Sequence, residues 1–113
     1  MITIYHNSRC SKSREGLQVL ENSGKDFEVI KYLDDLISEA KLKEIIALLN
    51  IKPIDLVRKN EAIWKSDYKG KDLTDDNIIS AMVNNPKLIE RPIVVSNGKA
   101  VIGRPPSLII EII

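Results

Sequence analysis

The sequence predicts an α/β protein built on a four-stranded mixed sheet with a helical insertion. Three observations carry that expectation. A β-branched run opens the chain and breaks into a polar loop ahead of a helix, which is the start of a strand–helix–strand unit. A central stretch places apolar residues at helical spacing. Near the end, two short β-branched runs flank Asn97-Gly98, the dipeptide favoured in a two-residue type I′ hairpin turn. At 113 residues and 43% hydrophobic content the chain is one domain's worth, and residues 1–113 are expected to form a single domain with its own core.

The elements follow in order. Ile2-Thr3-Ile4-Tyr5 is a strand, followed by the polar loop His6-Asn7-Ser8-Arg9-Cys10. From Ser11 to about Asn22, Leu17, Val19 and Leu20 give partial helical spacing, and Ser23-Gly24 supplies the stop. Phe27 to Leu33 alternates as a second strand, so the opening is βαβ and its strands are parallel through a right-handed crossover. Ser38-Glu39-Ala40 opens a helix carrying Leu42, Ile45, Ile46, Leu48 and Leu49, which Pro53 is expected to end. Shorter helical pieces are expected around Ile54–Val57 and Ala62–Ser66. Thr74 caps a further helix with Asp75 and Asp76 in its first turn, closed by Asn84-Asn85-Pro86. Pro92–Ser96 and Lys99–Ile102 form the hairpin, and Pro105-Pro106 opens a last helix over Ser107–Ile112. Two parallel strands followed by a hairpin, with helices between, is a thioredoxin-like topology.

Composition excludes several functions. Seventeen Lys and Arg balance sixteen Asp and Glu, leaving +1, too little net field to hold nucleic acid or an anionic membrane. A bound anion must therefore be held by local groups. One cysteine excludes a disulfide framework and a multi-thiolate zinc site, and no metal ligand set is expected. With no apolar N-terminal stretch, a soluble, monomeric, cytoplasmic protein is expected.

Cys10 lies where the first loop enters the first helix. A helix N-terminus presents unpaired N–H groups and a partial positive charge that favour thiolate over thiol, and Arg9, Lys12 and Arg14 add cations. A structural cysteine prefers apolar neighbours, and Asn-Ser-Arg-Cys-Ser-Lys-Ser-Arg supplies none. His6, the sole histidine, stands four residues earlier, able to tune the thiol or shuttle a proton; a surface role is the alternative on spacing alone. A cysteine protease needs a third orienting group for which the sequence offers no signature. The Cys-x-x-Cys of a dithiol oxidoreductase is absent, because Ser13 fills its second position, and a resolving thiol must come from another molecule. Gly16 stands where the Cys-x5-Arg loop of cysteine phosphatases requires arginine. Arg91 and Arg104 each precede a proline, Pro92 and Pro105. Pro92 opens the third strand, where thioredoxin-like folds carry a cis-proline facing the thiol, and the arginine fork suits a tetrahedral oxyanion.

These residues resemble the glutaredoxin-dependent arsenate reductases over essentially the whole chain. The matching segments are Ile4-Tyr-His-Asn-Ser-Arg-Cys-Ser-Lys-Ser-Arg14, Leu56-Val-Arg-Lys-Asn60, Leu73-Thr-Asp-Asp76, and Glu90-Arg-Pro-Ile-Val-Val95 with Gly103-Arg-Pro-Pro106. The resemblance implies the thioredoxin-like fold. It implies a nucleophile at Cys10, the nearby histidine at His6, a serine bonding the thiolate at Ser13, and oxyanion-binding arginines at Arg58, Arg91 and Arg104. It also implies arsenate as substrate, no bound cofactor, glutathione as co-substrate and glutaredoxin as the reducing partner. The loop departs from the best-known members, which have Pro-Ala before the cysteine and Gly-Thr after it, where this chain has Ser8-Arg9 and Ser11-Lys12. Two rival classes share the features: an Spx-type transcription regulator that binds RNA polymerase, and another glutathione-linked thiol oxidoreductase. Ser13, Arg58 and the Gly-Arg-Pro-Pro segment favour the reductase over the regulator.

Overall fold

The strand at the centre of the sheet, β1 (Ile2–His6), carries the most buried side chains of the first unit, and the remaining elements are arranged about it. The computed structural model describes residues 1–113 and divides into two compact units, Met1–Asp35 with Arg91–Ile113, and Leu36–Glu90.

In the first unit, β1 pairs in parallel with β2 (Phe27–Lys31), Ile2 opposite Phe27 through His6 opposite Lys31. It pairs antiparallel with β3 (Ile93–Ser96), which pairs antiparallel with β4 (Lys99–Ile102), giving the order β2-β1-β3-β4. The sheet is mixed, as expected, and the topology is thioredoxin-like. Side chains alternate across a strand, so Ile2, Ile4 and His6 share one face. Ile2 and Ile4 pack there with Val94, with Leu20 of α1 (Ser11–Ser23) and with Ile109. His6 is thereby delivered to the side on which α1 lies.

Local chemistry ends each element. Gly24 closes α1 at φ 72°, and Asn97 and Gly98 take φ 52° and 75°, both left-handed as a type I′ turn requires. β2 stops two residues short of the expected Leu33, because the N–H groups of Asp34 and Asp35 both turn back to the Lys31 carbonyl. The C-terminal segment also differs. Pro106–Glu111 is a 3-10 helix rather than an α-helix, with Leu108 N–H on Pro105 and Ile112 N–H on Ile109. The segment closes by i→i−3 bonds, and this tighter turn buries Ile109 fully. Both the Arg91–Pro92 and the Arg104–Pro105 peptide bonds are cis; the first stands where the sequence places a cis-proline, and nothing local signalled the second.

The second unit holds α2 (Glu39–Leu49), α3 (Ala62–Asp67) and α4 (Asp75–Asn84), with 3-10 turns at Pro53–Leu56 and Pro86–Leu88. Ser38 caps α2 by accepting from Lys41 N–H. Asn50, at φ 56°, ends that helix three residues before the expected Pro53, which instead opens the 3-10 turn. Thr74 and Asn77 cap α4 reciprocally, at 3.1 and 3.2 Å. Leu42, Ile45 and Ile46 of α2 and Ile78, Ile79 and Met82 of α4 form the buried faces of the unit. Val57 bridges Ile89, and Arg58 N–H donates to the Leu88 carbonyl, so the loop after the first 3-10 turn is bound to the strand-like Ile89-Glu90.

One close approach in the first unit is set by two glycines. A Cβ at Gly16 of α1 would lie 2.7 Å from Pro92 Cγ and 3.1 Å from Ile109 Cδ1, and one at Gly103 2.9 Å from Ile109 Cδ1 and 3.0 Å from Pro92 Cγ. Gly16→Ala gains up to about 1 kcal/mol of helix propensity, whereas overpacking against a rigid proline ring costs about 1–3 kcal/mol. Net destabilisation of about 1–2 kcal/mol is expected in urea unfolding, and a stabilised variant would show that the helix is free to move off Pro92.

Candidate active site

Cys10 is the N-cap residue of α1, in extended conformation at φ −92° and ψ 123°, and its side chain makes no capping bond. Its N–H donates to the Asn7 carbonyl at 3.0 Å and its carbonyl accepts from Arg14 N–H at 3.0 Å, which closes the loop and starts the helix. The partly exposed sulfur is left facing the first-turn amides.

Burial alone would push the Cys10 thiol up. The opposing interactions win: the backbone N–H of Ser13, the Arg91 side chain and the backbone N–H of Lys12 all favour the anion, and the net effect holds the thiol below its ordinary value. Arg104 reaches the same atom, its Nη2 3.4 Å from Cys10 Sγ, while its Nε donates to the Arg91 carbonyl at 2.8 Å. The hairpin thus delivers both arginines to one thiol, Arg91 just before β3 and Arg104 just after β4.

Ser13 contributes through its backbone. Its buried hydroxyl accepts from Asn7 N–H at 2.9 Å and lies 2.6 Å from His6 Nδ1. The resemblance implies a serine bonded to the thiolate; here the Ser13 backbone N–H favours the thiolate and the hydroxyl braces the loop. His6 is likewise turned to Ser13 rather than toward the sulfur. Its burial, the charge of Lys31 opposite it in the sheet, and Arg14 hold its pKa below the ordinary histidine value against the effect of the Ser13 bond, so the ring is neutral near pH 7.

Tyr32 was not singled out by its sequence. It follows the last residue of β2, is fully buried, and accepts a hydrogen bond from the Arg91 side chain. Burial would make the Arg91 cation less stable, but the bonds to Cys10 and Tyr32 and their electrostatic attraction outweigh it. A buried tyrosine generally needs a partner for its hydroxyl, but nothing in Lys31-Tyr32-Leu33 says that the partner is an arginine some sixty positions away in the chain.

Five of the six expected residues, Cys10, His6, Ser13, Arg91 and Arg104, come together in the first unit. Arg58 belongs to the second. There its Nη1 donates to Glu90 Oε1 at 2.8 Å and its Nε lies 3.6 Å from Glu61 Oε2, with the side chain 22% exposed. Two carboxylates share this one guanidinium.

Two outcomes are expected. The alkylation rate of Cys10 by iodoacetamide, followed against pH, inflects below the free-thiol value of about 8.5; an inflection at or above it would remove the thiolate. For His6 the folded pKa lies below the unfolded one, so between the two the unfolded chain binds more protons and stability falls as pH drops. Urea unfolding at about pH 7.5 and about pH 5.5 is expected to show a larger loss in the wild type than in His6→Gln, and equal losses would place the ring in solvent.

This geometry has close relatives. Residues 5–112 match the ArsC family. The chain is 45% identical over 99% of its length to an uncharacterized protein, YfgD, of Escherichia coli K12, covering 96% of that protein. It is 41% identical to an arsenate reductase of Neisseria meningitidis serogroup A, over 92% of this chain and 91% of that one. The solved structure of an arsenate reductase from Vibrio cholerae superposes with a TM-score of 0.94 at 46% identity, covering 99% of this chain and 97% of the other. By the match across nearly its whole length and by this likeness in sequence and fold, the chain belongs to the ArsC family.

Proposed function

We propose that the protein reduces arsenate to arsenite through Cys10, with glutathione and glutaredoxin supplying the electrons. The single observation that carries this reading is the meeting of two arginine side chains on one depressed-pKa thiol at a helix N-terminus. Membership of a family whose relatives include arsenate reductases supports the choice of arsenate among oxyanions.

In this mechanism the arginines hold the arsenate dianion, and the Cys10 thiolate attacks arsenic. A sulfur–arsenic bond forms and one arsenate oxygen leaves as water. The thiol of glutathione displaces a second oxygen as water, leaving arsenic bonded to both sulfurs. A glutaredoxin thiolate then attacks the glutathione sulfur. The sulfur–arsenic bond breaks, its electron pair remains on arsenic, and pentavalent arsenic becomes trivalent while a mixed disulfide forms. Hydrolysis of the remaining bond releases arsenite and restores Cys10. The outside thiols are required because the chain has one cysteine.

The groups around Cys10 have distinct tasks. Ser13 N–H and Lys12 N–H stabilise the attacking anion and later the leaving thiolate. Arg91 and Arg104 neutralise charge that builds on the oxygens, and Tyr32 holds the Arg91 fork from behind. His6 acts through Ser13 as a positioning residue, its ring neutral. Arg58, which the resemblance makes the third oxyanion arginine, is held by Glu90 and Glu61.

The test is arsenate kinetics with glutathione and glutaredoxin omitted in turn, run on Arg→Ala and Arg→Lys variants at 58, 91 and 104. Each Arg→Ala is expected to cost about 2–4 kcal/mol of transition-state stabilisation, roughly 30- to 1000-fold in kcat/KM, and lysine is expected to rescue poorly because it loses the fork. Near-normal arsenate turnover in all three, or an equally heavy loss of alkylation by neutral reagents, would replace the oxyanion site with a general thiol enzyme.

A further inference from the structure

The loop that ends in Cys10 lines, through Asn7, Ser8 and Arg9, a polar cavity of about 290 Å³ in the first unit, to which neither Arg91 nor Arg104 contributes. It opens between the β1–α1 loop and the turn after β2, with His6, Ser8 and Arg9 on one side and Lys31 and Asp34 on the other. Its position follows from the sheet: Lys31 is the register partner of His6, and the Asp34 N–H bond to the Lys31 carbonyl folds Asp34 back beside that lysine. The loop wall is fixed, since Asn7 Oδ1 accepts from Arg9 N–H at 3.0 Å and Arg14 Nη1 donates to the Ser8 carbonyl at 3.0 Å. His6, only 4% exposed, spends its Nδ1 on Ser13 and still lines the cavity, so a buried polar ring borders it.

The wall chemistry is uneven. Arg9 and Lys31 are two cations, Asp34 one carboxylate, and the backbone step from Arg9 leads directly to Cys10. Two cations with one anion complement a ligand that carries carboxylates and one ammonium. The reaction needs such a ligand nearby, because an outside thiol must reach the atom bonded to Cys10.

We propose that this cavity binds the amino-acid end of the thiol co-substrate, its α-carboxylate against Arg9 and Lys31 and its α-ammonium against Asp34, so that the thiol is presented at the Cys10 adduct, to Sγ or to the atom bonded to it. The inference rests on the reading that an outside thiol enters at the Cys10 adduct and is independent of whether arsenate is the substrate.

The test therefore uses no arsenate. Cys10 is converted to its mixed disulfide with thionitrobenzoate, and release of the coloured thiolate is followed as added thiolate attacks Cys10 Sγ. One S–S bond forms, the S–S bond to thionitrobenzoate breaks, and the displaced group leaves with the electron pair. Glutathione, N-acetylglutathione and β-mercaptoethanol are compared per thiolate. The wild type is expected to prefer glutathione over β-mercaptoethanol by roughly five- to twentyfold, since each exposed charge contact contributes about two- to fivefold. Lys31→Gln and Arg9→Gln are each expected to reduce that preference, read as the ratio of the glutathione rate to the β-mercaptoethanol rate, by about two- to fivefold. Asp34→Asn is expected to abolish the distinction between glutathione and its N-acetyl form. Lys41→Gln, an exposed cation of the second unit, is expected to change nothing. Equal rates for all three thiols in the wild type would overturn the proposal. So would a glutathione preference that survives all three cavity variants, which would assign it to the general field of Arg91 and Arg104.

Discussion

The contact of α1 with Pro92 is the constraint on which the site depends. At Gly16 the helix comes so near the proline ring that a single methyl group would stand 2.7 Å from it, and Gly103 meets the same ring and the same Ile109 from the hairpin side. Cys10 heads that helix, Arg91 is the residue before that proline, and Arg104 the residue after that glycine. Three side chains distant in sequence are thus referred to one rigid junction of close-packed atoms. Interiors packed at this density transmit small displacements rather than absorbing them, so the distance between thiol and guanidinium is set by packing as much as by charge.

With that geometry given, the electrostatics are local. The chain carries a net charge of +1, and no long-range field gathers anions. At Cys10 burial opposes ionisation, and two backbone amides and an arginine reverse the outcome. At His6 burial and Lys31 act in the same direction and keep the ring neutral, so the chain's single histidine is withheld from adding charge to the loop that carries Cys10. Arg91 is stabilised as a cation by the sulfur and the Tyr32 hydroxyl together. At Cys10 and Arg91 the tuning groups are immediate neighbours, which suits the proposed binding of a dianion.

The parts legible in the sequence are those encoded by short-range rules. Asn97-Gly98 specified its hairpin because few residue pairs adopt two left-handed conformations, and Thr74 announced α4 because a hydroxyl can satisfy its orphan amide. Cys10 stood out because its polar, cationic surroundings conflict with a structural role. What escaped depends on distant partners or on competition between near-equal local states. Tyr32 looks like any aromatic at the end of a strand until Arg91 is brought to it. Ser13 presents an amide and a hydroxyl, and only the folded loop decides that the amide faces the sulfur while the hydroxyl meets His6 Nδ1 and accepts from Asn7 N–H. Asn50 competed with Pro53 to end α2, and the C-terminal segment chose a 3-10 helix over an α-helix of the same length. The fold and the thiol with its two hairpin arginines were therefore readable, while the groups that brace them were not.

The central claim is that Cys10 bonds to arsenic while bound arsenate is converted. Intact-mass and peptide mass spectrometry of the protein incubated with arsenate and glutathione, with glutaredoxin withheld, tests it most directly, because the proposed cycle then stalls with arsenic held between two sulfurs. The account predicts an adduct containing arsenic and one glutathione on the peptide bearing Cys10, discharged when reduced glutaredoxin is added. Unmodified Cys10 under conditions that sustain turnover when glutaredoxin is present would contradict it.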